Sequence, residues 1–417
     1  MSRAILGAFE RKHVADDKLW ELVEQANQLT EGDYEDWDNN AEALVPVLER
    51  ILPLARERGD WQVYFCNMSK LFWFVRRTKI NQLHLAFQIA ERFHKDCVQQ
   101  LGGHLGSFAR EWQIDIAAEI LNFYCEYPQI DDQKMERMLG IFLDLESKYG
   151  SEWNNGNYRE VLRLAFFNKD RELAKKAVKK LKKTHFNNWC YVCTYARPML
   201  GYHILMDEFE EAQDMVSKVC RREIPAKYRW CFDRCQQADE GEMKDRALMD
   251  CLRFGKSEMF KKFFGEWQSF YARPEQKDVE DTHVILFHTL AGDWSKPQEC
   301  LRLAQKDDKD CREQTQTPLD SMYWALCWNC YFQMLHAKGV EQVSLQLGKE
   351  NSQDENKEWS CLEAAAYFEK QADLIGEQMN QARKRFGYVE IKRTYQECFL
   401  SENCNYSEPK PQTCQNS

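Results

Sequence analysis

Leu200-Gly-Tyr-His-Ile-Leu-Met-Asp-Glu-Phe-Glu-Glu-Ala212 is the stretch on which the reading of the fold turns. On both sides of Asp207 apolar residues recur at steps of three and four, the period of an amphipathic helix and not of a strand. The connection between the two runs is short. Trp189–Met206 and Glu208–Val219 are therefore expected to lie antiparallel, side by side.

The same pattern extends in both directions. Trp61–Arg77 pairs with Asn81–Gln99, Ser107–Tyr124 with Asp131–Lys148, and Tyr158–Asn168 with Arg171–Lys183. Further on, Val279–Leu290 pairs with Lys296–Gln305, and Asp320–Ala337 follows. Tyr228–Tyr271 is less regular and holds at least one more pair. Gly59-Asp-Trp61 recurs as Gly292-Asp-Trp294. Gly suits the end of one helix and Asp the N-cap of the next, and a repeated stop-and-start signal points to internal repeats. Before Gly59, Asp17–Leu29 and Ala41–Arg58 read as helices around an acidic loop, Glu31–Asp38.

Composition agrees. Among 417 residues there are only 18 Gly and 10 Pro, too few for the many tight turns of an all-β chain. Apolar content of 44% with 30% charged residues supports a buried core in a soluble chain. A net charge of −10 argues against a general affinity for nucleic acid or anionic membrane. No apolar run is long enough for a signal peptide or a membrane span. A cytoplasmic location follows as an expectation, with the 17 cysteines reduced and mostly acting as core filler.

Leu200-Gly201-Tyr202-His203 followed by Phe209-Glu-Glu-Ala212 resembles the tetratricopeptide repeat. In that family a Leu-Gly pair packs the first helix, an aromatic opens the second, and a small residue three later lets the helices approach. Trp294 with Pro297, Leu83 with Ala86, and Ala174 occupy matching places. The intervals between Ala86, Ala174, Ala212 and Pro297 are 88, 38 and 85 residues, which fits hairpins slightly longer than that family's repeat. The resemblance covers about Gly59 to Ala337. It implies an all-α fold, a right-handed α-solenoid of antiparallel helix hairpins.

The expected division is an N-terminal helical cap over 1–58, repeats over 59–338, a polar loop over 339–356, a C-terminal capping helix region over 357–400 and a disordered tail over 401–417. The capping helix carries a stripe from Leu362 to Phe386, with Arg383, Lys384 and Arg385 in its last turn, where cations suit the helix dipole, and Gly387 as its C′ residue.

Several features could carry chemistry. Cys190-Tyr-Val-Cys193 has the spacing of a zinc half-site, and structural zinc needs four ligands. Cys220, or the Cys231 and Cys235 pair, could complete it, and His185 stands just upstream. Packing of both thiols in a helix core is the alternative, and no metal or other cofactor is assigned. Cys327-Trp-Asn-Cys330 reads as core. Lys175, Lys176, Lys179, Lys180, Lys182 and Lys183 surround the stripe Ala174, Ala177, Val178, Leu181, giving either a docking face for an acidic partner or a solvated outer face. Tyr64 and Trp73 on one helix, and Tyr323, Trp324, Trp328 and Tyr331 on another, exceed what one buried face needs. They are candidates for anchors in a partner-binding groove.

Nucleotide-binding glycine loops, the nucleophile elbow and the zinc-protease motif are all absent from the sequence. The chain is therefore read as a non-enzymatic scaffold that takes a protein or peptide segment in a concave groove, without membrane or nucleic acid. A regulator gated by a peptide or small molecule is the second reading, and an all-α enzyme without a recognisable motif the third.

Overall fold

The computed structural model describes residues 18–30, 40–78, 83–101, 107–149, 158–182, 190–235, 240–272, 282–294, 297–313, 316–348 and 357–401. The acidic loop Glu31–Asp38, Lys183, His185 and the tail beyond Ser401 lie outside them. The chain is all-α, with one two-stranded sheet among the described residues. It falls into two compact units, residues 1–120 with 136–154, and residues 121–135 with 155–417.

In the first unit α1 (Lys18–Gln28), α2 (Ala41–Glu57), α3 (Trp61–Thr78) and α4 (Leu83–Leu101) pack in sequence order, each on the next. Residues before Gly59 therefore share a core with those after it. Leu44, Leu48, Ile51, Phe65, Phe72, Ala86 and Phe93 fill that core. At its centre the buried Asp96 accepts a hydrogen bond from Tyr64 Oη, with Arg56 at 3.7 Å and Arg92 at 3.6 Å. Two helices, α5 (Ser107–Glu126) and α6 (Asp132–Tyr149), run through the boundary between units.

The second unit opens with three hairpins. They are α7 (Tyr158–Phe167) with α8 (Arg171–Leu181), α9 (Arg197–Leu205) with α10 (Phe209–Cys220), and α12 (Glu240–Phe254) with α13 (Ser257–Tyr271). A four-residue helix, α11 (Cys231–Arg234), lies between the second and third. The first helices of the hairpins, α7, α9 and α12, pack side by side. Gly201 sits where they meet. A Cβ there would stand 2.8 Å from the Phe166 ring and 3.2 Å from Asp250 Oδ2, which is the physical content of the Leu-Gly pair.

One helix-ending device recurs. Gly59, Lys169, Asp207, Arg222, Gly255 and Gly292 all take positive φ. In each case the next residue's N–H reaches back five residues to a helix carbonyl, as in Asp60 to Ala55 at 2.9 Å and Asp170 to Ala165 at 2.8 Å. This left-handed exit satisfies carbonyls that the helix end would otherwise leave unpaired.

After α14 (Thr282–Leu290) and α15 (Pro297–Glu313), α16 (Pro318–Ala337) is enclosed by α14, α15 and two C-terminal helices, α17 (Cys361–Ala382) and α18 (Tyr388–Phe399). The stretch expected as a polar loop instead contributes β1 (Gln342–Leu345), antiparallel to β2 (Lys357–Ser360), with Val343 and Leu345 buried. Its remainder, 349–356, lies outside the described residues. Ser360 and Glu363 then form a reciprocal capping box that starts α17. Asp308, fully buried, ties the region together. It accepts from Arg312 Nε at 3.0 Å, Gly348 N at 3.2 Å, Tyr367 Oη at 2.7 Å and Gln371 Nε2 at 2.8 Å.

The C-terminal region departs from the single long helix expected. α17 ends at Ala382, and Arg383 is buried instead of complementing a helix dipole. Its guanidinium lies 4.4 Å from the Tyr124 ring centre and 5.1 Å from that of Phe167, and it donates to the Tyr127 carbonyl. Gly387, with φ +71, precedes α18 instead of closing α17. The last helix packs on α12, α13, α16 and α17. Tyr388, Ile391, Tyr395, Cys398 and Phe399 are buried there.

Candidate functional site

The aromatic anchors expected for a partner groove are largely taken up by the protein itself. Tyr64, Tyr323, Trp328 and Tyr331 are buried, and Trp73 and Trp324 half-buried. Tyr64 holds Asp96 in the first unit. In the second, Trp328 Nε1 donates to Asp307 at 2.8 Å, and Tyr331 and Trp328 meet edge to face. Tyr323 is stacked against Tyr395, 6.5 Å between ring centres. All four side chains are core: Tyr64 packs inside the first unit, and the three on α16 are covered by α14, α15, α17 and α18. The lysine face is placed as its stripe predicts. Ala174, Ala177, Val178 and Leu181 are buried, and Lys175, Lys176, Lys179, Lys180 and Lys182 are exposed. Lys175 pairs with Glu172 at 2.7 Å and Lys180 lies over the Tyr158 ring at 5.9 Å.

A different site emerges in the second unit. A cavity of about 80 Å³ is walled by Phe166, Phe167, Phe254, Tyr323, Phe386 and Ile391, and Arg163, Arg246, Arg253, Asp250 and Asp320 provide its charge. α7 supplies Arg163, α12 supplies Arg246, Asp250 and Arg253, and α16 supplies Asp320 and Tyr323. On α12 the buried stripe runs Met243, Ala247, Asp250, Phe254. Asp250 thus occupies a position that helical period assigns to the core.

The charges are unequally satisfied. Arg163 donates to Asn122 and to Glu126 at 2.7 Å. Asp250 accepts from Arg246 Nε at 3.1 Å, and its second oxygen is sealed without a hydrogen-bond partner. Asp320 accepts the Thr317 hydroxyl at 2.8 Å in its own helix's first turn. Arg253 stacks over Tyr323 at 5.0 Å, and its Nε is buried with no hydrogen bond. Burial pushes Arg246 down to about 10 against the opposing pull of Asp250. Arg253, Arg197 and Arg163 push it the same way. The cleft therefore carries a cationic group with unused donor capacity, framed by aromatic rings. That chemistry suits a planar anion, because a guanidinium matches a carboxylate with two parallel donors.

The sequence points to Tyr323 as a candidate anchor but to none of the charged residues of the cleft. The available signal was Asp250 on an apolar stripe, flanked by Arg246 and Arg253 at steps of four and three.

The cysteine reading divides. Cys327 and Cys330 are buried inside α16, as a packing role requires. The Cys190 and Cys193 thiols stand together with Cys235, all three sulfurs within 4.8 Å of one another. Cys220, at the end of α10, is not in that group.

Among the described residues no helix is long and apolar enough to cross a membrane. No protein-family model and no curated protein matches the chain. A solved structure described as a circular tandem repeat protein with novel repeat topology and enhanced subunit contact surfaces is similar at 12% identity. The similarity covers 91% of this chain and 88% of that one with a TM-score of 0.20, too slight a likeness to carry any conclusion about this chain.

Proposed function

We propose that the protein is a non-enzymatic, tetratricopeptide-like helical-repeat binding module whose arginine cleft captures a carboxylate on a partner protein, either a C-terminus or an acidic side chain. The observation that carries this reading is Arg253, a cation held over Tyr323 at the cavity with a buried donor left unmatched. A buried donor without a partner costs about 1–3 kcal/mol, and an entering acceptor recovers that cost on binding. The aromatic walls give the residue bearing the carboxylate an apolar bed. A cavity of this size admits one side chain or chain end, so specificity rests on few atoms.

The test is fluorescence anisotropy with the full chain and a labelled peptide panel. It contains free-acid and amidated C-termini, with and without internal Asp and Glu. A subset of carboxylate-bearing peptides should bind, and Arg253→Met should weaken them by at least about tenfold, the equivalent of ~1.4 kcal/mol, with circular dichroism unchanged. Equal affinity in Arg253→Met, or no dependence on the carboxylate, would refute the cleft as the site. A ligand-gated regulator is the second reading. It is favoured by how little of a peptide the cavity can enclose, and displacement of the bound peptide by a small carboxylate would support it.

A further inference from the structure

The cysteine cluster lies away from the arginine residues of the cleft in sequence and does not depend on the binding role proposed for them. Cys190 precedes a π-helical turn, Val192–Ala196, that leads into α9, and Cys193 lies within that turn. π-Turns are uncommon and frequently occur at functional sites. The opposite side comes from the irregular segment after α10. There a 3-10 turn, Ala226–Tyr228, and the four-residue helix α11 present Cys231 and Cys235 one helical turn apart, with Cys235 N donating to Cys231 O at 2.8 Å. Cys193 Sγ and Cys235 Sγ are 3.2 Å apart. Cys231 Sγ accepts the N–H of Tyr191, the residue next to Cys190, at 3.2 Å. Around these sulfurs Tyr191 is stacked between Tyr195 and Tyr228, each 5.1 Å away.

We propose that Cys190, Cys193 and Cys235, with Cys231 as the fourth ligand, form a tetrahedral structural Zn²⁺ site. A zinc ion holds thiolates at about 2.3 Å, which sets the sulfurs of a tetrahedron about 3.8 Å apart. Three sulfurs lie within 4.8 Å of one another, one pair of them at 3.2 Å. The fourth, Cys231, lies one helical turn from Cys235 and accepts the N–H of Tyr191, the neighbour of Cys190, so a small movement of that turn would bring its sulfur to the ion. Binding would take four thiolates and release four protons to solvent, leaving a Zn(S-Cys)₄ centre of net charge −2. A helix of four residues has no stability of its own. The metal would clip this segment onto the start of α9, where the first helices of the hairpins stack.

The experiment begins with the full chain purified under reducing conditions without chelator. Elemental analysis should give about one zinc per chain. The reduced, demetallated protein is then titrated with Co²⁺ and followed by absorbance. A thiolate-to-cobalt charge-transfer band with the visible envelope of tetrahedral cobalt should saturate at one equivalent. Cys193→Ser and Cys235→Ser should each abolish tight binding. Cys231→Ser should lower the charge-transfer intensity by about a quarter, and Cys66→Ser, in the first unit, should match the wild type. Circular dichroism of each variant separates loss of metal from loss of fold. Absence of zinc together with no cobalt band in the reduced protein would overturn the site. So would wild-type titration of Cys193→Ser and Cys235→Ser, or a Cys193–Cys235 disulfide found by mass spectrometry in metal-free protein as isolated. An unchanged cobalt spectrum in Cys231→Ser would overturn the assignment of the fourth ligand.

Discussion

Substituting Gly376 by alanine sets two known effects against each other. Gly376 lies in α17, and alanine is favoured over glycine in a helix by about 0.8–1 kcal/mol. On propensity alone the change stabilises. Packing opposes it. A Cβ at this position would stand 2.3 Å from Tyr388 Cδ2, 2.4 Å from Cγ and 2.5 Å from Cε2, more than 1 Å inside ordinary carbon contact of about 3.5–4.0 Å. The ring has little freedom to retreat. Its hydroxyl donates to Asp373 at 2.6 Å, its backbone N–H donates to Asn380 at 3.2 Å, and the residue is buried. Overpacking of this kind costs about 1–3 kcal/mol and at times more, so the expected net effect is a loss of roughly 1–2 kcal/mol. The assay is urea unfolding followed by circular dichroism, with Gly265→Ala as the control. Gly265 is exposed in α13 and would meet nothing within 4 Å, so that variant should gain about 0.5–1 kcal/mol. Combining Gly376→Ala with Tyr388→Leu should cost less than the sum of the single changes, because the second removes what the first strikes. If Gly376→Ala stabilises as much as Gly265→Ala, the close crossing of α17 and α18 is wrong.

Tyr64→Phe leaves Asp96 with only its two arginines and should cost the first unit about 1–2 kcal/mol in urea with no effect on peptide anisotropy; lost binding at unchanged stability would restore Tyr64 to a recognition role. Burial holds the His94 imidazole below its ordinary 6.5, so the unfolded chain takes up the proton first. The stability tied to neutral His94 is then full above pH ~6.5 and drains as pH falls. His94→Gln should flatten the fall of melting temperature between about pH 7 and 5, and superimposable profiles would argue against it. Asp308→Ala removes the acceptor shared by the half-buried Tyr367 and Gln371 and the exposed Arg312 and should cost about 1.5–3 kcal/mol; a loss below about 0.5 kcal/mol would mean that this hub does not form.

Helices and their pairing are legible in the sequence because period and stop signals are local properties. The Lys175–Lys182 helix is an example, its four buried positions following from spacing alone. The turn device was half legible. At Gly59 and Gly292 the residue type announces the left-handed exit, whereas Lys169, Asp207 and Arg222 adopt it with side chains that conceal it. The aromatic helices misled for a physical reason. Periodicity reports which face of α16 is apolar but not how many neighbours surround it, and those neighbours come from as far along the chain as Phe399. The arginine cleft draws on α7, α12, α16 and α18, and no spacing rule joins Arg163 to Ile391. The cysteines fall between these cases. The CxxC pair is visible as a motif, but the choice between Cys220 and Cys235 depends on a short helix that sequence pattern does not predict.

The docking of α18 also constrains how the protein is made. Its partners α12 and α13 are synthesised first, and ~145 residues separate Phe254 from Phe399. At about 5–20 residues per second, the apolar surface that Tyr395 and Phe399 will cover waits roughly 7–30 s for them to leave the ribosome. During that interval the nascent chain exposes a hydrophobic seam to chaperones, or to a neighbouring chain on the same message, and a ribosome stalled before Tyr388 would release a product with that seam still open.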